Sequence, residues 1–150
     1  MNNISPSFVS QTHWVVRWLG LCAAFIFMMC LIGAATRLTE SGLSITEWKP
    51  ITGVIPPLTA ADWAHAFDLY RGTPEYQQKN IGMSIVEFKS IYYWEWVHRF
   101  WGRLIGLVFL VPFIWFLARG VLSRRLTWTL LGVFALGGLQ GGIGWFMVQS

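Results

Sequence analysis

Long apolar runs without formal charge dominate the chain. They lie between Arg17 and Arg37, between Arg103 and Arg119, and after Arg125. The hydrocarbon core of a bilayer is about 30 Å thick, so a helix needs roughly 20 apolar residues to cross it. Each run reaches this length alone or together with its flank. We therefore predict three membrane-spanning helices, over about residues 15–36, 91–118 and 126–148.

The composition is typical of a protein embedded in a lipid bilayer. Of the 150 residues, 55% are hydrophobic and only 12% are charged. The net charge of +4 comes mostly from arginines at the edges of the apolar runs, so it predicts no nucleic-acid partner. The first run is too long for a signal peptide, and no small-residue cleavage site follows it. Trp14 and Trp18, with Arg17 between them, indicate an anchor at the membrane interface. The fold class predicted is all-α and integral to the membrane.

The outer loop, about residues 37–90, is too long for a connection without structure of its own. Its prolines and tryptophans indicate an ordered lid. Thr59 and Asp62 have the spacing of a capping box, which starts a helix. The apolar residues that follow share one helical face and predict a short amphipathic helix lying on the membrane or on the bundle: Trp63, Ala66, Phe67 and Tyr70.

A second capping box, Ser84 with Glu87, begins the helix that carries the second span. If this helix continues unbroken to Ala118, its length of about 50 Å exceeds the membrane thickness. Pro112 lacks an N–H group, so it frees a backbone carbonyl one turn earlier.

Polar residues share one side of this helix within an otherwise apolar environment. At about 3.6 residues per turn, that side carries Glu95, His98, Arg99, Gly102 and Gly106. Arg103 lies at its edge. Charged groups at membrane depth are costly and usually face a protein interior, so they indicate function. Imidazole is an axial ligand of heme iron. The glycines would leave room for the ring, and the arginines would pair with propionates.

The same residues allow a purely structural interpretation. Glu95 and Arg99 have the i,i+4 spacing of a helical ion pair, and His98 would then be a polar residue at the interface. Cys22 and Cys30 are about 12 Å apart along one helix, too far for a disulfide, and are predicted to pack. The residues alone leave both interpretations open.

The third span is rich in glycine. This pattern predicts close helix packing or a flat surface for a large planar ligand; the glycines are Gly132, Gly137, Gly138, Gly141, Gly142 and Gly144. The chain stops where this helix would emerge, and we expect a longer protein. The arginines between the last two spans favour the cytoplasm, which predicts a cytoplasmic N-terminus and an outer loop outside.

Several motifs resemble heme A synthase, the CtaA-type family of cytochrome oxidase assembly proteins. They are Gly33-Ala-Ala-Thr-Arg-Leu-Thr-Glu-Ser-Gly-Leu-Ser-Ile-Thr-Glu-Trp-Lys-Pro-Ile-Thr-Gly53, Pro74-Glu-Tyr76, Asn80-Ile-Gly-Met83, Glu87-Phe-Lys89, Trp94-Glu-Trp-Val-His-Arg99 and Gly137-Gly-Leu-Gln-Gly141. They occur in order over nearly the whole chain. Residues 37–90 contain no cysteine, so the chain resembles the type that lacks a cysteine pair in the outer loop.

The resemblance implies an eight-helix enzyme of two similar four-helix halves, of which this chain would supply three helices of the N-terminal half. Such an enzyme is an oxidoreductase acting on CH groups. It oxidises a methyl group of heme O to the formyl group of heme A by successive hydroxylations with water as the oxygen source, for cytochrome oxidase biogenesis.

The resemblance also assigns roles to residues. Glu95 matches the catalytic glutamate, and His98 matches an axial ligand of the heme O substrate. Independently of the resemblance, the shared helical face leads us to expect that Arg99 and Arg103 pair with propionates and that Gly102 and Gly106 leave room for the ring. The second axial ligand is expected beyond residue 150, on a fourth helix of the same half. The heme b cofactor site is expected in a C-terminal half that this chain lacks, so the chain alone is expected to be inactive.

Two other functions remain open at this stage. The chain could be a b-type cytochrome subunit in electron transfer or a non-catalytic heme-handling assembly factor. The resemblance implies a multi-pass protein of the bacterial plasma membrane, with heme O synthase or a second copy of the chain as candidate protein partners.

Overall fold

The computed structural model describes the backbone of residues 6–47 and 52–149 and the side chains of residues 12–47 and 52–147. This part of the chain contains five α-helices, a 3₁₀ turn at Thr52–Val54 and no β-strand. The helices are α1 (Pro6–Leu38), α2 (Ala60–Arg71), α3 (Pro74–Lys79), α4 (Ile85–Ala118) and α5 (Arg124–Gln149). The predicted all-α class is confirmed.

Three of these helices are long and apolar enough to cross a membrane. The spans are Thr12–Leu38, Ile85–Ala118 and Arg124–Met147. The prediction of three spans is therefore confirmed. Helix α1 begins at Pro6, whereas the first span is predicted to begin at about residue 15. The polar residues from Pro6 onward are therefore part of the same helix.

The chain forms two compact units, and both α1 and α4 contribute to each of them. The first unit comprises Met1–Met28 and Arg103–Gly144, and the second comprises Met29–Gly102 and Trp145–Ser150.

The first unit is held together by an aromatic core. Side chains from three helices form it: Val15, Trp18, Cys22, Phe109, Phe113, Phe116 and Leu130. Trp18 is 6% exposed, so the interpretation of this residue as an interfacial anchor is wrong. Its ring lies 5.4 Å from the ring of Phe109 instead of facing lipid headgroups. Trp14 remains exposed, and the Arg17 guanidinium lies 5.1 Å from its ring centre.

The carbonyl freed by Pro112 has a partner in this core. Helix α4 continues through Pro112, and the residue four positions earlier is Val108. The Trp18 indole N–H donates to the Val108 carbonyl oxygen at 2.8 Å. An unpaired carbonyl inside an apolar core would be costly, so the buried indole replaces the missing backbone donor.

The second unit contains the outer loop and the first turns of α4. The apolar face of α2 packs on α4, with Trp63, Phe67, Tyr70 and Phe88 forming a buried cluster. The predicted amphipathic helix is therefore present, and its apolar face packs on the start of α4. Tyr70 is fully buried and accepts a hydrogen bond from the Asn80 amide at 2.7 Å, and burial raises the pKa of its phenol.

Both predicted capping boxes are present. The Asp62 N–H donates to Thr59 Oγ1 at 3.1 Å, and the Thr59 N–H donates back to Asp62 Oδ2 at 3.0 Å. These contacts lower the pKa of the Asp62 carboxyl. Ser84 and Glu87 make the equivalent pair of contacts at the start of α4.

The glycines of α5 do not mediate helix packing within the part of the chain that the structure describes. None of the six has another group within 4 Å of its Cβ position. Every described side chain of α5 from Leu131 onward is exposed.

Candidate functional site

Glu95 is a buried carboxylate on α4 with a complete set of hydrogen-bond donors. Only 3% of the residue is exposed. Its Oε2 accepts from the Ser44 N–H at 2.6 Å, the Ser44 hydroxyl at 2.7 Å and the Ile45 N–H at 2.9 Å. Its Oε1 accepts from Arg99 Nε at 3.0 Å and Nη2 at 2.6 Å. We call these four residues the Glu95 clasp.

Arg99 links both sides of the clasp. It pairs with Glu95 one turn away on α4, as the i,i+4 spacing predicts, and its Nη2 also donates to the Ile45 carbonyl at 2.9 Å. Segment 44–45 therefore donates to the carboxylate and accepts from the guanidinium. Because Nε and Nη2 are used in this way, Arg99 has only Nη1 left for another ligand.

The end of α1 directs the loop toward Glu95. The Ser41 N–H donates to the Thr36 carbonyl at 3.0 Å and the Glu40 N–H to the Arg37 carbonyl at 3.2 Å, the two contacts of a Schellman motif. Glu40 has a φ of 51°, a left-handed conformation in which glycine is usual. The chain then turns back, and Ser44 is buried against α4.

A second contact ties the loop to α4. The Trp96 indole N–H donates to the Val54 carbonyl at 3.1 Å. An aromatic residue at this end of a span is typical of the membrane interface, and the structure shows that the Trp96 N–H holds the loop.

His98 lies against α1 at a residue without a side chain. A Cβ at Gly33 would lie 3.5 Å from His98 Nε2 and 3.8 Å from Cδ2. The imidazole is half-buried, and neither ring nitrogen has a hydrogen-bond partner among the described residues. Sequence reasoning missed Gly33 as a site residue, although it begins the longest of the family-like motifs.

The two glycines predicted to leave room for a ring differ in their surroundings. A Cβ at Gly102 would lie 3.6 Å from the Met29 methyl group, so this face is already covered. Gly106 has open space around its Cβ position. Arg103 and Gly106 follow on the same helix but belong to the first unit, while Glu95, His98, Arg99 and Gly102 belong to the second.

The chemistry of His98 is compatible with ligation of a heme iron. A half-buried imidazole without a hydrogen-bond partner among the described residues can serve as an axial ligand, and a glycine borders its Nε2 edge.

The sequence places the chain in a known family. The profile of the cytochrome oxidase assembly protein family matches residues 16–150. The chain belongs to this family. The resemblance noted in the sequence motifs is thereby confirmed, and the span matched includes the Glu95 clasp and His98.

Relatives in this family are named heme A synthase. The protein from Rhodospirillum centenum is 65% identical over 136 residues, which are 91% of this chain and 36% of that protein. The protein from Methylorubrum extorquens strain PA1 is 60% identical over 139 residues, 92% of this chain and 36% of that protein. The protein from Parvibaculum lavamentivorans is 56% identical over 138 residues, 92% of this chain and 40% of that protein. The chain thus spans little more than a third of these relatives, and no solved structure matches it.

Proposed function

We propose that this chain supplies the substrate-side glutamate and histidine of a heme A synthase. The reaction converts a methyl group of heme O to the formyl group of heme A for cytochrome oxidase biogenesis. The observation that carries this proposal is the 65% identity to the Rhodospirillum centenum heme A synthase over a stretch that includes both residues.

His98 would bind the iron of the heme O substrate. Its lack of a hydrogen-bond partner among the described residues supports this role, and so does the absence of a side chain at Gly33 beside Nε2. Heme b is the proposed resident cofactor, and we assign no residue of this chain to it.

Glu95 would act on the methyl group through its charge. Each hydroxylation would pass two electrons from the methyl carbon to a two-electron acceptor outside this chain and release one methyl proton. Water would then bond to the electron-poor carbon and lose one proton. A nearby carboxylate would stabilise that electron-poor centre. A carboxylate offers about four lone-pair sites, whereas Glu95 already has five donor contacts. The geometry therefore supports electrostatic stabilisation better than proton acceptance, because an incoming water would have to displace a donor.

The arginines would then have different tasks. Arg99 holds Glu95 and reaches a propionate only through Nη1, whereas Arg103 is proposed to orient a propionate directly. Gly102 and Gly106 are proposed to border the ring, and the open space at Gly106 supports this better than the covered face of Gly102.

The protein would be a multi-pass protein of the bacterial plasma membrane with a cytoplasmic N-terminus. Three arginines near the α4–α5 connection support this orientation: Arg119, Arg124 and Arg125. Heme O synthase, which would supply the substrate, and a second copy of the chain are the proposed protein partners.

A chimera tests the function. The 136 matched residues of the Rhodospirillum centenum enzyme are replaced by those of this chain and expressed in cells that make heme O but no heme A. Mass spectrometry of extracted hemes should show hydroxylated and formyl heme for the wild-type chimera and only heme O for Glu95→Gln. His98→Ala should change the heme absorption spectrum.

Matched controls keep the result interpretable. Glu75→Gln removes a glutamate on α3 with the same i,i+4 spacing to a cation, the exposed Lys79, and should leave conversion unchanged. Unmodified heme O in the chimera, with the parent enzyme active, would contradict the proposal and favour the b-type cytochrome function.

A further inference from the structure

The two carboxylate oxygens of Glu95 are held by different parts of the chain. Arg99 donates twice to Oε1, and the loop donates three times to Oε2. The terminal torsion of a glutamate has a broad energy minimum, so external contacts must fix the plane of the carboxylate. Arg99 constrains this plane through Oε1, and the loop constrains it through Oε2.

Ser44 supplies two of the three loop contacts. Its N–H and that of Ile45 point at the same oxygen, as successive backbone N–H groups do in an anion-binding nest, and the hydroxyl adds a third donor. Ser44 is 2% exposed, so water does not compete freely for these contacts. Arg99 Nη2 holds the Ile45 carbonyl of the same segment at 2.9 Å.

The Ser44 hydroxyl has a second acceptor within reach. The Ser41 carbonyl lies 3.1 Å from Ser44 Oγ, and the single hydroxyl proton serves one acceptor at a time. The turn from Ser41 to Ser44 can therefore remain closed without Glu95. Glu95, in contrast, has no donors at Oε2 other than this loop segment among the described residues.

We propose that Ser44 is a positioning residue that orients the Glu95 carboxylate and makes its alignment depend on the seating of the outer loop. The catalytic part of this inference rests on the proposed function, and the geometric part does not. The substrate-side site is thus complete only when segment 41–45 lies on α4.

Amide hydrogen exchange on the 150-residue chain in lipid nanodiscs tests the geometry directly. Exchange at Ser44 and Ile45 should accelerate about tenfold or more in Glu95→Ala, because a hydrogen bond to a charged group is worth about 1.5–3 kcal/mol. Thr39→Ala is the matched control, since Thr39 contributes a hydroxyl to the same turn without touching Glu95. Equal exchange at Ser44 and Ile45 in wild type and Glu95→Ala would overturn the proposal.

Turnover of the chimera tests the catalytic consequence. Ser44→Ala should lower kcat for heme O about tenfold to a hundredfold, with KM and the heme spectrum unchanged. Ser44→Thr, which restores the hydroxyl, should recover most of the rate, and Thr39→Ala should not change it. Ser44→Cys, with a weaker donor, should give an intermediate rate and replaces Ser44→Ala if that variant does not accumulate.

The outcomes separate the two proposals. A wild-type chimera that leaves heme O unmodified refutes the proposed function. Hydrogen exchange would still test whether the loop donates hydrogen bonds to Glu95. An active chimera in which Ser44→Ala turns over as fast as wild type refutes the positioning role.

Discussion

Glu95 and Glu75 each lie four residues before a basic residue, but their surroundings differ. Both pair with a cation four residues later, Glu95 with Arg99 at 2.6 Å and Glu75 with Lys79 at 3.1 Å. The Lys79 side chain is 55% exposed and the Glu75 side chain 17%, so solvent screens the cation, and such pairs contribute little to stability. A buried pair is favourable only when further hydrogen bonds satisfy both partners. The Ser44–Ile45 segment supplies them for Glu95.

Glu40 and Gly120 occupy equivalent positions after α1 and α4. Gly120 has a φ of 64°, and its N–H donates to the Leu117 carbonyl, while the Val121 N–H donates to the Phe116 carbonyl. These are the contacts that Glu40 and Ser41 make after α1. The chain thus uses the same turn twice, once with glycine and once with a residue for which the conformation is strained.

Relieving this strain should stabilise the protein. Glu40→Gly is expected to raise the free energy of unfolding by about 0.5–1 kcal/mol, since the strain exceeds the added flexibility of the unfolded chain. Gly120→Ala is the reciprocal change and should lower it by about 1 kcal/mol. Thermal unfolding in nanodiscs, followed by circular dichroism, measures both. Destabilisation by Glu40→Gly would show that the Glu40 side chain makes a stabilising contact that outweighs the strain.

At the scale of elements, α1 and α4 share a hydrogen bond that neither helix can make alone. Pro112 removes one donor from the ladder of α4, and Trp18 of α1 replaces it at the Val108 carbonyl. A proline inside a long helix is thereby compensated by a buried indole from another helix, as in other membrane helices where a neighbour satisfies the freed carbonyl.

A double-mutant cycle should measure this compensation. Trp18→Phe keeps an aromatic ring but leaves the Val108 carbonyl without its donor, at an expected cost of about 1–3 kcal/mol. In a Pro112→Ala background the same change should cost about 1 kcal/mol less, because the introduced alanine has a backbone N–H that can donate to the Val108 carbonyl. Thermal unfolding of the four proteins provides the coupling energy. Additive costs would mean that the indole contributes only its packing.

For the whole molecule, the proposed orientation in the membrane rests on the arginines near the α4–α5 connection. In a Cys22→Ala, Cys30→Ala background, Asp68→Cys marks α2 and Ser123→Cys marks the α4–α5 connection. A membrane-impermeant maleimide should label Asp68→Cys in intact spheroplasts and Ser123→Cys only after permeabilisation. Ser123→Cys retains all three neighbouring arginines, so the change does not weaken the charge bias being tested. The reverse labelling pattern would contradict the proposed orientation.

The predictable part of the structure depends on local rules. Three spans follow from charge-free runs, and two helix starts follow from the residue spacing at Thr59 and Ser84. The polar face of α4 and the carbonyl freed at Pro112 follow from helical periodicity and the chemistry of proline. The local pattern does not reveal the environment of Trp18, because an aromatic residue at a span edge has the same pattern whether it faces lipid headgroups or packs inside.

The sequence by itself therefore determined the three spanning helices, the starts of α2 and α4, and the polar groups on α4, but not the short helix α3. Only the tertiary structure decided the partners of those groups. Ser44 is 51 residues from Glu95 and Trp18 is 90 residues from Val108, and no periodicity relates positions so far apart. These contacts exist because a buried donor or acceptor without a hydrogen-bond partner is costly. In the folded chain the partners come from segments that are distant in sequence.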